Sequence, residues 1–425
     1  MSTKHSKAAA EFLKNKKQAA WHDETLWLVR AKRDRLSKEV PEWEELRNMA
    51  CATKLYSNSH LDELLVEFEN NARANGAHVY WAKDADEYCN IVYNILNQHG
   101  VKHFIKSKSM LAEECELNPF LESKGIEVVE SDLGERILQL MHLKPSHIVL
   151  PAIHIKREQV GELFEREMGT EKGNFDPTYL THAARKNLRQ KFIHAEAAMT
   201  GANFAVASTG EIVVCTNEGN ADMGTSQPKL QIAAFGMEKI VPDRESLGVF
   251  TRLLARSATG QPITTYTSHY RKPREGGELH IIIVDNGRSK ILADPKHIKT
   301  LNCIRCGACM NTCPVYRRSG GYSYTYFIPG PIGINLGMLK APLHYYDNVS
   351  ACSLCYSCSF VCPAKVDLAE QIYLWRQDLD KLGKADRMKK VMSGGMEFMM
   401  KRPSIFNMAL KLSLIHISEP TRLAL

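Results

Sequence analysis

Eight of the twelve cysteines fall into two runs of one spacing: Cys303, Cys306, Cys309 and Cys313, then Cys352, Cys355, Cys358 and Cys362. Each run reads C-x2-C-x2-C-x3-C-P and is closed by Pro314 or Pro363. Thiolates are soft ligands, and three at this pitch can hold three irons of one cluster from a single loop. The fourth cysteine, ahead of its proline, starts the next helix and points at the other cluster. The spacing therefore assigns Cys303, Cys306, Cys309 and Cys362 to one [4Fe–4S] cluster, and Cys352, Cys355, Cys358 and Cys313 to a second. Two zinc ribbons are the competing reading. Ribbons use paired C-x2-C units, and they leave no role for the third cysteine or for Cys-Pro. The chemistry implied is electron transfer, one electron per cluster per step. Cys51, Cys89, Cys115 and Cys215 are scattered and read as small buried hydrophobes.

Thirty-eight residues separate Cys313 from Cys352. A compact ferredoxin of two hairpins needs fewer. The length suits a helical, fumarate-reductase-like arrangement in which the motifs cap helices. The insert at 320–337 is rich in Gly, Pro and Tyr and reads as an ordered loop over a cluster.

The rest of the chain must support this module. At 425 residues it is too long for one ordinary core. Residues 1–58 read as a helical arm, with a break at Pro41. Residues 59–286 read as an α/β domain. Its β-rich runs are 78–81, 103–105, 126–130 and 147–150, with helices at 84–99, 110–124, 133–142 and 156–168. That alternation predicts a parallel sheet with helices on its faces. A long helix is expected over 176–201. Further strands are expected at 203–207, 212–216, 239–241, 263–268 and 279–284, with a helix at 244–257. Residues 287–300 form a linker, 301–375 the dicluster module and 376–412 a helical tail. The Met-rich stretch 395–412 is either an amphipathic surface helix or a core helix that has lost its partners. Residues 413–425 read as a non-native extension.

Composition narrows the function classes. The chain is 44% apolar and 24% charged, as in globular proteins. No apolar run of about 18 residues predicts a membrane span, though peripheral membrane contact stays open. No apolar signal core opens the chain, and thiolate ligands need a reducing compartment, so a cytoplasmic location is expected. Residues 1–38 hold ten Lys or Arg against four Asp or Glu, which is +6 of the chain's +7. No nucleic-acid motif accompanies this charge. The arm is expected to dock on a partner subunit.

Four segments carry a family resemblance. TGANFAVASTGEIVVCTNEGN at 200–220, FGMEKIVPD at 235–243, KSKSM at 106–110 and ESDLGE at 130–135 resemble the lactate-utilisation (LUD) domain. With the two cysteine runs behind them, the chain resembles the bacterial lactate-utilisation iron–sulfur protein B family. The resemblance implies a fold similar to NagB, RpiA and CoA transferases. It also implies work with two partners, lactate-utilisation proteins A and C, in oxidising L-lactate to pyruvate.

The expected role is therefore an iron–sulfur electron-transfer subunit of a lactate-oxidising complex, passing electrons to an unidentified acceptor. Iron–sulfur clusters do not take hydride from an alcohol, and no dinucleotide or flavin fingerprint is present. The hydride acceptor is expected on a partner. The alternatives are a self-sufficient oxidoreductase built on the LUD pocket, a subunit for glycolate or another 2-hydroxy acid, and a regulatory scaffold. Loops 208–211 and 217–220 flank one strand and read either as ordinary turns or as a substrate pocket. Glu211 or Glu218 would then be the base, and His154, after a strand expected to end near Pro151, is a further candidate. Arg305, Arg317, Arg318 and Lys365 neighbour the ligands and can raise cluster potentials.

Overall fold

The computed structural model describes residues 4–384 and 387–418. The chain forms two compact units, Met1–Tyr373 and Leu374–Leu425. The first holds ten strands: β1 His78–Ala82, β2 His103–Lys106, β3 Glu127–Glu130, β4 Ala197–Gly201, β5 Phe204–Val206, β6 Glu211–Thr216, β7 Leu230–Gly236, β8 Ile240–Val241, β9 Tyr266–Tyr270 and β10 Glu278–Val284. Six of them make one parallel sheet in the order β1-β10-β7-β4-β2-β3.

Both faces of this sheet are buried, which a parallel sheet requires. Along β10, Ile282 and Val284 join Phe104, Met199 and Ile232 on one face. Ile281 and Ile283 join Phe68, Ala72 and Phe235 on the other. A smaller mixed sheet, β8-β5-β6-β9, packs beside it. The β5–β6 hairpin turns at Gly210, whose φ is +66°. A Cβ there would lie 2.3 Å from the backbone nitrogen of Ala72. Asn71 and Asn75 also donate to the carbonyls of Ala207 and Thr209. Loop 208–211 is thus a turn clamped to the helix Leu61–Ala74.

Several sequence expectations change here. Residues 147–150 are bends, not a strand. The helix expected over 176–201 stops at His194, and its last part becomes β4. The strand β7 was not anticipated. From Asp285 on, no strand occurs among the described residues, so the dicluster region is helical.

The basic arm packs onto its own chain. Arg33 donates to the carbonyl of Val361, and Arg47 to those of Phe360 and Cys362. These carbonyls end the short helix Ser357–Val361, where cations are favourable. Nearby, His22 bonds the Arg317 carbonyl and Asp23 pairs with Arg317 and Arg318.

In the second unit, helices Arg387–Met400 and Pro403–Ser418 carry the Met-rich stretch. Met396, Phe398, Met400 and Met408 of this stretch are exposed. Residues 413–418 continue the last helix, and 419–425 lie outside the described residues. No helix among the described residues is long and apolar enough to cross a membrane.

Candidate metal centres and the adjoining cavity

The two cysteine loops share one backbone path. In the first, Arg305 and Gly307 take left-handed φ values of 60° and 74°. In the second, Leu354 and Tyr356 do so at the matching positions, with 53° and 60°. Left-handed backbone is costly for residues other than glycine and persists where surroundings impose it. Here it turns the Arg305 amide onto Cys303 Sγ and the Leu354 amide onto Cys352 Sγ, each at 3.4 Å. Amides on the sulfurs favour the charged, ligating form. Gly307 has a second reason to be glycine: a Cβ would meet His147 Cε1 at 3.0 Å.

The fourth cysteines differ. Cys313 caps the helix Pro314–Ser319, and its Sγ accepts from the Tyr316 amide at 3.5 Å. Cys362 does not start a helix directly. Two left-handed residues, Lys365 and Asp367, intervene before the helix that begins at Leu368. The Val366 amide still reaches Cys362 Sγ at 3.4 Å.

Cys303, Cys306, Cys309 and Cys362 line one small cavity, walled by apolar side chains including Ile148, Ile304, Ile332 and Val366. Four thiols in an apolar shell fit an iron–sulfur cluster. Burial pushes the Cys306 thiol up to about 12 and the Cys362 thiol up to about 11, so binding metal must displace protons. In the other motif the Cys358 thiol feels the charges of Cys313, Cys352 and Cys355. These are the residues that the spacing groups with Cys358. Cys309 also feels Cys358, and Thr312 bonds Ser357, so the two groups adjoin. Cys313 lies under the 320–337 insert, its Sγ 3.9 Å from the Tyr324 hydroxyl. Cys355 is exposed.

A larger cavity, about 350 Å³, opens at the C-terminal ends of β2, β3, β4 and β7. Ligands of open α/β sheets bind at this end. All four family-like segments contribute to its wall: Lys108, Asp132, Asn203 and Glu218, and Lys239. The first two segments are locked by a buried ion pair, Lys106 to Glu130 at 2.7 Å, on directly opposed positions of β2 and β3. Arg305 and Cys306 of the first cysteine loop complete the wall.

Of the three acid–base candidates, only Glu218 lies in this cavity. Its surface faces the cavity, and its carboxylate accepts from the Leu133 amide at 3.2 Å. Burial on its protein side and the charge of Asp132 push its carboxyl up to about 7. Glu211 is fully buried at the opposite end of β6, held by Arg244 at 2.9 and 2.6 Å and by His269 at 3.0 Å. Burial opposes its ionisation, but these partners outweigh it and hold its carboxyl low. The two loops flanking β6 cannot form one pocket, because six strand residues span about 20 Å. His154 follows turns, not a strand. Its ring bonds Ser146 Oγ at 2.6 Å and the Tyr322 hydroxyl at 2.9 Å, and burial lowers it to about 4. It fastens the 320–337 insert to the α/β part.

The charges beside the clusters also differ from expectation. Arg317 and Arg318 are paired with Asp23, and Lys365 lies 3.8 Å from Glu44. Among the described residues, Arg305 has one distant ion-pair partner, Glu238 at 3.9 Å, and its Nη1 is buried without a hydrogen bond. Lys54 and Lys239, which spacing did not single out, lie close enough to Cys303 to feel its charge. Glu238 itself is claimed by Arg288, which also clasps Glu114 with two bonds.

Comparison with known proteins places these features. The LUD domain family matches residues 65–291, and the 4Fe-4S dicluster domain family matches residues 299–366. Lactate utilization protein B of Geobacillus thermodenitrificans is 42% identical over 88% of this chain and 80% of its own length. The protein of that name from Bacillus pumilus is 44% identical over 83% of this chain and 76% of its own. An uncharacterized electron transport protein of Escherichia coli is 41% identical over 84% of this chain and 76% of its own. A crystal structure of a DUF162 family protein from Deinococcus radiodurans aligns at 15% identity and a TM-score of 0.31. It covers 53% of this chain and 98% of that one.

Proposed function

The chain belongs to the family of lactate utilization protein B, and on that premise we propose that it is the iron–sulfur electron-transfer subunit of an L-lactate-oxidising assembly. Its partners are lactate-utilisation proteins A and C. An inner [4Fe–4S] cluster is held by Cys303, Cys306, Cys309 and Cys362. An outer one is held by Cys352, Cys355, Cys358 and Cys313. The relative named as an electron transport protein supports the same role.

One observation carries this reading: Arg305 and Cys306 line both the thiol cavity and the α/β cavity. The inner cluster would thus sit one residue away from whatever occupies the LUD domain. The exposed Cys355 puts the outer cluster towards the surface, where electrons can leave. Oxidising a 2-hydroxy acid releases two electrons and two protons. When bound, the clusters supply one-electron steps, and two of them hold both electrons of one turnover. The chain's residues insulate the inner site, aim amides at the sulfurs and surround it with cations. The hydride acceptor belongs to a partner.

The test is anaerobic reconstitution of the full chain. Eight irons per chain are expected, with no lactate oxidation until proteins A and C are added. Four irons, or lactate oxidation by the chain alone, would overturn the reading. The second outcome would favour a self-sufficient enzyme, for which Glu218 in the cavity is the available base.

A further inference from the structure

The wall of the α/β cavity carries two cations that are incompletely satisfied among the described residues. Lys239 keeps accessible surface on the cavity wall, and among the described residues its ammonium has no hydrogen-bond or ion-pair partner. Arg305 has only the 3.9 Å contact to Glu238, and its buried Nη1 donates to nothing. The two cations lie near enough to feel one another. Glu238 serves them only in part: it is 3.9 Å from Arg305 and acts on Lys239 through its charge, while Arg288 makes the close contacts to it and to Glu114. Buried or half-buried cations without partners are costly, and a fold keeps them where a ligand supplies the counter-charge. The sulfurs of the adjoining motif are already served by backbone amides, at Cys303 from Arg305 and at Cys362 from Val366.

We propose that this cavity binds a small organic carboxylate, a 2-hydroxy or 2-oxo acid, with its carboxylate held between Lys239 and Arg305. The inference rests on the functional reading above and adds to it a location for the acid. Arg305 comes from the cysteine loop and Lys239 from the segment after β7, so the site is complete only when both parts of the chain are in place. A planar guanidinium pairs well with a carboxylate, and an ammonium adds a point charge beside it. Within a wall of mixed polarity, Leu254, Ala255 and Ala258 give an apolar stretch against which the acid's carbon chain can lie. A bound carboxylate also cancels positive charge beside the inner cluster. It therefore disfavours the reduced, more negative cluster and lowers its potential.

The experiment uses the anaerobically reconstituted full chain. L-lactate and pyruvate are titrated by calorimetry, with inorganic phosphate as the comparison. Saturable binding of both acids is expected, weakened about tenfold or more in K239M and in R305Q. K239R should retain it, and iron content should stay unchanged throughout. In a redox titration followed by electron paramagnetic resonance, lactate should lower the potential of one cluster in the native chain and of neither in K239M. No binding of either acid, equal binding by K239M, or tighter binding of phosphate would overturn the proposal. Loss of iron in the native chain would instead overturn the iron–sulfur reading, so the two failures are distinguishable.

Discussion

Arg47 and Cys362 are far apart in sequence, yet the guanidinium of one donates twice to the carbonyl oxygen of the other, at 3.1 and 2.9 Å. A third bond reaches the Phe360 carbonyl at 2.7 Å. The arm is therefore part of the metal module. It caps the helix that ends at Cys362, the cysteine proposed to cross between the motifs. Arg47→Leu removes three charge-assisted bonds from the carbonyls of Phe360 and Cys362, leaving the latter with the longer bond from the Lys365 amide, and should cost about 3 kcal/mol locally. The expected result is faster loss of iron and sulfide on warming, with the inner cluster going first. Unchanged cluster lifetime would show that the arm is passive.

The crossed ligation is open to a direct comparison. Cys313→Ser and Cys352→Ser should remove the same resonance signal, and Cys362→Ser and Cys306→Ser the other. Uncrossed ligation would instead pair Cys313 with Cys306. Iron content should fall to about half in each variant, with the surviving signal intact.

The pair Lys106 and Glu130 is almost wholly out of water. Lys106→Met leaves the buried Glu130 carboxylate without its cation, though Asn118 still donates to it, and should cost about 3–5 kcal/mol. Replacing both residues, as K106M with E130L, should restore most of that loss. Denaturant unfolding of the three variants measures it. A double variant as unstable as the single one would mean that the pair does more than cancel its own charges.

Glu218 gives a pH signature. Its folded carboxyl is raised from 4.5 to about 7, so folding disfavours its charge. That penalty is absent below pH 4.5, grows as the pH rises and is complete above 7. Asp132 and the Leu133 amide act on it within the cavity, and Lys108 opposes Asp132. Glu218→Gln should therefore raise the apparent unfolding temperature at pH 8 and leave it unchanged near pH 4.5. Equal effects at both values would contradict the raised carboxyl.

The cysteine runs made the metal module legible because ligand spacing is a local property of the chain. The outer strands were legible too, from short β-rich runs between helices. The two central strands β4 and β7 were not fully read. AAMTG and LQIAAFG are short in β-branched residues, and strands buried on both faces lose the alternation that marks a half-buried one. The site was legible in part. Segments 106–110 and 130–135 were noted separately, but only the pairing of β2 with β3 brings Lys106 onto Glu130. Lys239 stood inside a noted segment with nothing in its spacing to mark it. Its meaning comes from burial and from Arg305, 66 positions further on. His154 was placed by a strand that does not form, and the contacts of Arg33 and Arg47 with this chain were missed because backbone carbonyls have no sequence signature.

The central claim is that this chain carries the electrons of lactate oxidation and does not extract them. Rapid anaerobic mixing of L-lactate with the chain joined to proteins A and C, while the cluster absorbance is followed, tests it most directly. The expected result is bleaching by two electrons per chain in the assembly and none in the chain alone. Bleaching of the isolated chain, or clusters that stay oxidised while the assembly makes pyruvate, would contradict it.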